Sequence, residues 1–168
     1  GPPIVGAAAA CAALLWLPLT GGGSGMAELH VIDVGQGDAI ALRTPRGRWM
    51  LVDAGPRGTD YDAGERKVVP FFRARGVTRL EMLVLTHPDA DHIGGAPAVF
   101  RGLDVERVIE PGMAVGKEMY LEVIAGVEGD GSRWSAARSG RTLRIDGLEV
   151  DFLWPDSGSV DTLETNEP

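Results

Sequence analysis

Residues 80–95 read LEMLVLTHPDADHIGG, in which an apolar segment runs directly into a cluster of histidine and aspartate side chains. The first part, residues 80–86, is short and almost continuously apolar, which is typical of a strand covered on both faces of its sheet. The residues that follow include His87, Asp89, Asp91 and His92. Alternate positions in a turn leaving a buried strand can converge, so the stretch predicts a polar site at a sheet edge.

These four side chains are suitable ligands for divalent metal ions. Imidazole and carboxylate groups bind zinc and manganese, and carboxylates favour the harder ion. The chain has a single cysteine, Cys11, which excludes an intramolecular disulfide and a cysteine-based zinc cluster. A simpler alternative is a polar turn in which Asp91 caps the next helix. Two histidines and two aspartates in this order favour the metal site.

Short strand-like and helix-like segments surround this stretch and predict a mixed α/β fold with a substantial sheet. Pro45-Arg46-Gly47 and Asp146-Gly147 are typical hairpin turns, and the pair Gly94-Gly95 allows close backbone approach. Besides residues 80–86, we predict strands at 29–34, 39–44, 48–53, 105–109, 142–145 and 148–154, and helices at 65–75, 96–101 and 117–128.

The first 27 residues differ in composition from the rest of the chain because they carry no charged side chain. Residues 4–19 read IVGAAAACAALLWLPL, and sixteen helical residues span about 24 Å, less than the roughly 30 Å hydrocarbon core of a bilayer. The chain begins with glycine and has no basic region before the apolar one, unlike a signal peptide. We therefore expect residues 1–20 to be the end of a transmembrane helix and residues 21–27 a Gly/Ser linker. A buried core helix or an unusual signal sequence is the alternative.

The net charge of −8 argues against a protein that binds nucleic acid by bulk electrostatics alone, although it does not exclude a metal-dependent nuclease. Residues 131–145 are a local exception, with no acidic side chain, a tryptophan at 134 and four arginines. Arginine beside an exposed aromatic ring suits a single-stranded nucleic acid, whose backbone and bases it contacts. A solvated loop and strand edge is the alternative. The arginines are Arg133, Arg138, Arg141 and Arg144.

The pattern H-x-D-x-D-H followed by Gly-Gly resembles the metallo-β-lactamase-fold signature, usually H-x-H-x-D-H, with Asp89 where most members have histidine. Residues 30–39, HVIDVGQGDA, resemble the opening strand and turn of ComEC-type competence DNA-internalisation proteins, in which this hydrolase domain follows a multi-helix membrane channel. Residues 51–55, 68–76 and 83–95 match that family in order and spacing, and Asp89 fits this branch of it.

The resemblance implies an αββα sandwich, of which residues 28–168 would form the N-terminal part. It also implies two divalent ions, Zn or Mn, with His87 and Asp89 binding the first and Asp91 and His92 the second. Asp53 matches the aspartate that orients the metal loop, so we place it with Asp91 among the catalytic residues.

Three further residues are candidates for contact with a substrate. Asp38 lies in a predicted loop that can face the same site, although a simple tight turn explains it equally well. Arg133 and Arg138 come from the arginine-rich segment.

The resemblance further implies a function in DNA uptake. It indicates an integral plasma-membrane protein with its hydrolase domain on the outer face, cleaving phosphodiester bonds of the DNA strand that is not imported. Single-stranded DNA, the membrane and other competence proteins would be its partners. The alternatives are a tethered hydrolase of a small phosphoester or lactone, and a non-catalytic domain that gates the channel. No histidine follows His92, so we expect these 168 residues alone to bind metal weakly and to have little activity.

Overall fold

The computed structural model describes residues 23–112 and 118–156. Within these ranges, six strands form one sheet in the order β1-β2-β3-β5-β7-β8, and two strand pairs, β9–β10 and β4–β6, lie outside it. In chain order the strands are β1 (Glu28–Val31), β2 (Ile40–Arg43), β3 (Trp49–Val52), β4 (Arg79–Leu80), β5 (Met82–Val84), β6 (Asp104–Val105), β7 (Arg107–Glu110), β8 (Arg133–Ala136), β9 (Thr142–Ile145) and β10 (Leu148–Asp151).

Helices pack against one face of the large sheet. A π-helical turn, Gly64–Val68, runs directly into α1 (Val69–Arg73), and α2 (Ala90–Ile93), α3 (Ala96–Gly102) and α4 (Glu118–Asp130) follow. This face forms the larger apolar core, which includes the fully buried side chains of Phe72, Leu83 and Val99.

The opposite face of the sheet packs against the β9–β10 hairpin. Met82 and Ile109 from the sheet contact a second apolar core that also contains Ile145 and Phe152. Because Leu83 faces the helices and Met82 faces the hairpin, the central strand is covered on both sides, as its continuous apolar sequence predicts.

The predicted mixed α/β class and most predicted elements are confirmed, with four local differences. The predicted strand at residues 105–109 is interrupted at Glu106, which separates β6 from β7. The predicted strand at residues 80–86 is interrupted at Glu81, which separates β4 from β5. A short helix, α2, occupies part of the predicted polar turn, and Arg133–Ala136 forms an additional strand that pairs with β7. In the described part of the chain no helix has the length and apolar character needed to cross a membrane. The predicted membrane segment, residues 1–20, lies outside the described residues.

One edge of the sheet gathers the carboxyl ends of several strands. Strands β3, β5, β7 and β8 are mutually parallel, so the residues that follow them meet at this edge. Asp53 follows β3, Thr86 comes shortly after β5, and Glu110 ends β7. The sheet topology thus brings together polar residues that lie far apart in the sequence.

Candidate metal centre

Asp53 connects the end of β3 to the loop after β5 through hydrogen bonds. It is 1% exposed and has a φ of +55°, a conformation that aspartate tolerates better than most residues. Its Oδ1 accepts a hydrogen bond from the Thr86 backbone N–H at 2.8 Å, and its Oδ2 accepts one from the Thr86 hydroxyl at 2.6 Å. The buried carboxylate is therefore satisfied by neighbouring donors.

The same carboxylate orients both histidines. His92 Nδ1 lies 3.0 Å from Asp53 Oδ2, and His87 Nδ1 lies 2.9 Å from the Thr86 hydroxyl oxygen. The hydroxyl hydrogen points to the carboxylate, so the hydroxyl oxygen accepts from His87 Nδ1–H. Asp53 thus positions His92 directly and His87 through Thr86. In this arrangement the Nε2 lone pair of each imidazole is left available as a ligand.

The aspartates of the metal loop lie beside these Nε2 atoms. His87 Nε2 is 3.5 Å from Asp89 Oδ2, and His92 Nε2 is 3.8 Å from Asp91 Oδ2. The two imidazole rings have their centroids 3.9 Å apart. The two histidine–aspartate pairs that the family resemblance implies are therefore spatial neighbours within one cluster.

Asp38 joins the cluster from the loop between β1 and β2. Its Oδ2 lies 3.7 Å from His92 Nδ1. One ligand atom each from Asp38, Asp53 and His92 falls within 4.8 Å of the others, a spacing that a single cation can bridge. The prediction that this loop faces the site is confirmed in its geometry, whereas a substrate contact by Asp38 remains a prediction.

The short helix α2 sets the directions of the metal-loop side chains. Asp89 occupies its N-cap position with extended backbone angles, and no side-chain hydrogen bond caps the helix. Asp91 lies inside the first turn, so the alternative in which Asp91 is the cap residue is wrong. Because Asp91 and His92 are both helical, their positions relative to each other are fixed by backbone hydrogen bonds.

Glycines allow the loops of the site to approach one another closely. A Cβ atom at Gly95 would lie 2.2 Å from the Ala54 carbonyl oxygen, and one at Gly94 would lie 2.4 Å from the Arg57 nitrogen. Gly37, with a φ of +112°, passes the Asp91 carbonyl oxygen, which a Cβ would meet at 2.0 Å. The predicted close approach at Gly94 and Gly95 is confirmed.

The donor set fits divalent metal ions. Two imidazoles and the carboxylates of Asp38, Asp89 and Asp91 provide the ligand types that zinc and manganese bind, while Asp53 holds His92 at Nδ1. Four aspartates in one small cluster repel one another, and a bound cation relieves that repulsion. The carboxylate–histidine contact at His92 is also the usual way in which a metal-binding imidazole is held in place.

A second buried carboxylate, Glu110, lies at the same sheet edge. Its Oε1 accepts from the Trp134 indole N–H at 3.0 Å, and its Oε2 accepts from the Gly112 N–H at 2.8 Å. Burial raises the pKa of Glu110, and the hydrogen bonds, including one from Tyr120, partly oppose that rise. Burial and the neighbouring glutamate raise the pKa of Tyr120 to about 12.

Sequence reasoning assigned no role to Thr86 or Glu110. Thr86 immediately precedes the predicted metal ligands, and Glu110 directly follows the predicted strand at residues 105–109. A polar residue at the end of an apolar parallel strand is the signal that both share. The partners of each become visible only when the strands are assembled into the sheet.

The structure separates the two candidate arginines. Arg133, at the start of β8, forms an ion pair with Glu106. Arg138 lies beyond the other end of the strand, where its guanidinium donates to the carbonyl oxygens of Pro111 and Ala137 at 2.6 Å. Only Arg138 is therefore at the carboxyl edge that holds the metal-loop residues.

A family profile and several curated proteins are similar in sequence to this chain. The sequence profile of the Metallo-beta-lactamase superfamily matches residues 32–156. The chain is 30% identical over 143 residues to ComE operon protein 3 of Bacillus subtilis (strain 168), covering 77% of this chain and 18% of that protein. It is 33% identical over 129 residues to Competence protein ComA of Neisseria gonorrhoeae, covering 77% and 16%. The chain therefore spans less than a fifth of the length of these curated relatives.

Two further similarities cover less of the chain or are weaker. Recombination protein 2 of Haemophilus influenzae is 32% identical over 84 residues, which are 50% of this chain and 10% of that protein. A crystal structure described as a new diphosphatase from the PhnP family is 16% identical with a TM-score of 0.41, covering 68% of this chain and 42% of that one.

Proposed function

The chain belongs to the metallo-beta-lactamase superfamily, and on that premise we propose that it is a metal-dependent phosphodiesterase domain acting in DNA uptake. In this proposal it cleaves the DNA strand that is not imported. The homologous competence proteins support the biological process, and the cluster around Asp53, His87 and His92 supports the hydrolytic chemistry.

We assign two divalent ions, Zn or Mn, to the cluster. His87 and Asp89 would bind the first, and Asp91 and His92 the second, each histidine through Nε2. Bound ions of this kind generate a hydroxide nucleophile near neutral pH and neutralise charge on a phosphate. The observation that carries the assignment is the hydrogen-bonded set in which Asp53 fixes both Nδ1 atoms and leaves both Nε2 atoms directed toward aspartates.

The protein side chains have distinct roles in this proposal. Asp53 is a positioning residue that keeps both imidazoles in the tautomer with Nε2 unprotonated. Asp91 is a ligand and therefore contacts the reacting centre. Asp38 lies at the margin of the cluster, where it can contact either an ion or a substrate group. The aspartates alone would repel a DNA phosphate, so binding of substrate depends on their neutralisation.

A strand of DNA has candidate contacts along the same sheet edge. The Trp134 ring is 49% exposed and is held by its hydrogen bond to Glu110, which suits stacking against a base. Arg138 lies nearby and suits a backbone phosphate. Arg133 is a weaker candidate because it lies at the opposite end of β8, beside Glu106 and away from this edge.

Membrane attachment is a further part of the proposal. The uncharged residues 4–19 would anchor the domain in the plasma membrane, with the domain on the outer face. Other competence proteins would be its partners, as the names of the relatives suggest for those proteins.

A single-turnover nuclease assay tests this function. The 168-residue chain, in excess over end-labelled single-stranded DNA, is incubated with Mn²⁺ or Zn²⁺, because few ligands per ion imply slow turnover. We expect metal-dependent cleavage that Asp91→Asn reduces at least about 100-fold. Asp60→Asn, which changes an exposed carboxylate outside the cluster, should leave cleavage unchanged.

The same assay distinguishes the alternatives. Cleavage of a small aryl phosphodiester or a lactone without cleavage of DNA would contradict the DNA substrate and favour a small-molecule hydrolase. If calorimetry shows that the chain is fully loaded with metal and the loaded chain hydrolyses none of these substrates even in a single turnover, the enzyme is contradicted and a domain that only gates a channel is favoured.

A further inference from the structure

An open groove lies at the end of the sheet opposite the metal cluster. Its volume is about 1110 Å³, and its lining includes more arginines than glutamates. It lies at the amino ends of the parallel strands, where Trp49 begins β3 and Glu81 directly precedes β5. The charged side chains that line it are Arg43, Arg48, Arg75, Arg79, Glu28, Glu81 and Glu106.

The groove and the metal cluster are separated by the length of the central strands. Trp49 and Asp53 lie at opposite ends of β3, and a strand advances about 3.3 Å per residue, so roughly 13 Å separates the two ends. The groove is therefore distinct from the candidate metal centre.

The segment that leads to the apolar N-terminal residues reaches the domain beside this groove. The Gly25 N–H donates to the Pro45 carbonyl oxygen at 3.0 Å, and a Cβ atom at Gly23 would lie 1.8 Å from that oxygen. Pro45 belongs to the β2–β3 turn, whose Gly47 and Arg48 line the groove. A membrane that receives residues 4–19 would accordingly face the groove end of the domain.

The arginines of the groove can exchange their present partners for phosphates. The Arg75 guanidinium lies 3.6 Å from the centroid of the Phe71 ring and donates to the Phe71 carbonyl at 2.9 Å. Among the described residues, no carboxylate forms an ion pair with Arg75. Arg48 is paired with Glu81, and Arg79 is paired with both Asp104 and Glu106, but the two arginine side chains are 60% and 56% exposed. Ion pairs in which the arginine stays in contact with water stabilise little, whereas arginine binds phosphate oxygens with good geometry.

The charge of the domain is polarised along the strands. The metal end carries a group of aspartates that includes the cluster and the adjoining loops, whereas arginines outnumber glutamates in the lining of the groove end. The aspartates of the metal end, which lie in the segments that follow β1, β3 and β5, are Asp33, Asp38, Asp53, Asp60, Asp62, Asp89 and Asp91. An anionic surface therefore meets less repulsion at the groove than anywhere near the metal cluster.

We propose that this groove is a docking surface for anionic phospholipid headgroups, whose phosphates Arg48, Arg75 and Arg79 bind. The inference rests on the membrane attachment in the proposed function and adds an orientation to it. The groove faces the bilayer, and the metal cluster faces away from it, toward the aqueous phase.

Fluorescence quenching tests this surface. The 168-residue chain with Cys11→Ala carries a bimane label at Thr78→Cys in the groove or at Asp60→Cys in the loop after β3. It is reconstituted into phosphatidylcholine vesicles with increasing phosphatidylglycerol and a quencher on the lipid headgroups. We expect phosphatidylglycerol to increase quenching at position 78, with little change at position 60.

A pair of charge reversals provides the matched comparison. Arg75 and Arg66 each lie over an aromatic ring, at 3.6 Å from Phe71 and 5.7 Å from Tyr61, and only Arg75 lines the groove. Arg75→Glu should lower the apparent affinity for phosphatidylglycerol about fivefold or more. Arg66→Glu changes the net charge by the same amount and should leave the apparent affinity for phosphatidylglycerol unchanged.

The outcomes separate this inference from the proposed function. Failure of the chain to co-float with vesicles would contradict the membrane attachment itself. Flotation with equal quenching in both lipids, or equal effects of the two reversals, would overturn the docking surface alone. A response of the label at position 78 to single-stranded DNA without lipid, abolished by Arg75→Glu, would overturn it in favour of a nucleic-acid surface. The same response to millimolar inorganic phosphate would overturn it in favour of a small-anion site.

Discussion

Asp53 is the residue on which the geometry of the metal cluster depends. Its two carboxylate oxygens accept from the Thr86 backbone, the Thr86 hydroxyl and His92, so one buried group fixes three others. The left-handed backbone at Asp53 turns the chain sharply at the end of β3 and places the carboxylate under the metal loop. The role of Asp53 is therefore to position the histidines rather than to contact a substrate.

We predict that Asp53→Asn weakens metal binding without preventing folding. The amide keeps the shape and tolerates the positive φ, but it cannot accept at both oxygens, so one donor loses its partner. Metal affinity, measured by calorimetric titration with Mn²⁺, should fall about 10- to 100-fold. The free energy of unfolding in urea should fall by about 1–3 kcal/mol. Equal metal affinity in the variant and the original chain would contradict the positioning role.

Glu110 illustrates a buried carboxyl whose ionisation opposes folding. Burial raises its pKa above the ordinary value of 4.5, so the folded state retains this proton to higher pH than the unfolded chain does. The contribution of the protonated group to stability is therefore present below about pH 4.5 and is lost as the pH rises through the raised pKa.

We predict that Glu110→Gln removes this pH dependence. The free energy of unfolding of the original chain, relative to that of the variant, should decrease as the pH rises above 4.5. Urea denaturation at a series of pH values measures the difference. Glu128→Gln, which changes an exposed glutamate of α4, is the control. A constant difference between Glu110→Gln and the original chain would show that this group does not titrate differently on folding.

At the scale of elements, the contact between the loop after β3 and the start of α3 brings the site together. The Gly95 N–H donates to the Gly55 carbonyl, and the Ala54 N–H donates to the His92 carbonyl. A Cβ at Gly95 would also lie 2.6 Å from the Gly64 nitrogen, at the start of the π-helical turn. The loop after β3, the start of α3 and the start of the π-helical turn therefore meet at Gly95, where there is room for a hydrogen atom but not for a side chain.

We predict that Gly95→Ala is strongly destabilising even though its φ of −79° suits alanine. The contacts it would make are with backbone atoms, which cannot move aside as a side-chain end can, so a cost of about 2–4 kcal/mol is expected. Gly129→Ala, in α4 with nothing within 4 Å of the added atom, should instead stabilise by about 0.5–1 kcal/mol. Thermal or urea unfolding of the two variants measures both effects. Similar stability in both would contradict the close packing at Gly95.

At the scale of the whole molecule, the parallel strands separate two kinds of chemistry. Their carboxyl ends carry the aspartates and histidines, and their amino ends carry the arginine-lined groove. The net charge of −8 conceals this separation, because composition counts charges without placing them. Arg133 and Arg138 of the arginine-rich segment likewise lie at opposite ends once β8 forms.

The mixed α/β class, the buried central strand, the two hairpins and the cluster at residues 87–92 are predictable from the sequence alone. These features depend on local patterns: a short apolar run, turn residues, and ligand-type side chains close together in the chain. The extra strand at Arg133–Ala136 was missed because an arginine-rich segment resembles a solvated loop until the neighbouring strand β7 offers its edge.

The combination of residues that are distant in the sequence depends on the assembled fold. Asp38, Asp53 and His92 come from three separate segments, and no local pattern specifies that the first two lie 3.7 and 3.0 Å from the same histidine nitrogen. The link that Thr86 makes between Asp53 and His87 also depends on the assembled fold. The same is true of the hydrogen bonds that Glu110 accepts. Parallel strand pairing determines which strand ends become neighbours, and this pairing is a property of the assembled sheet.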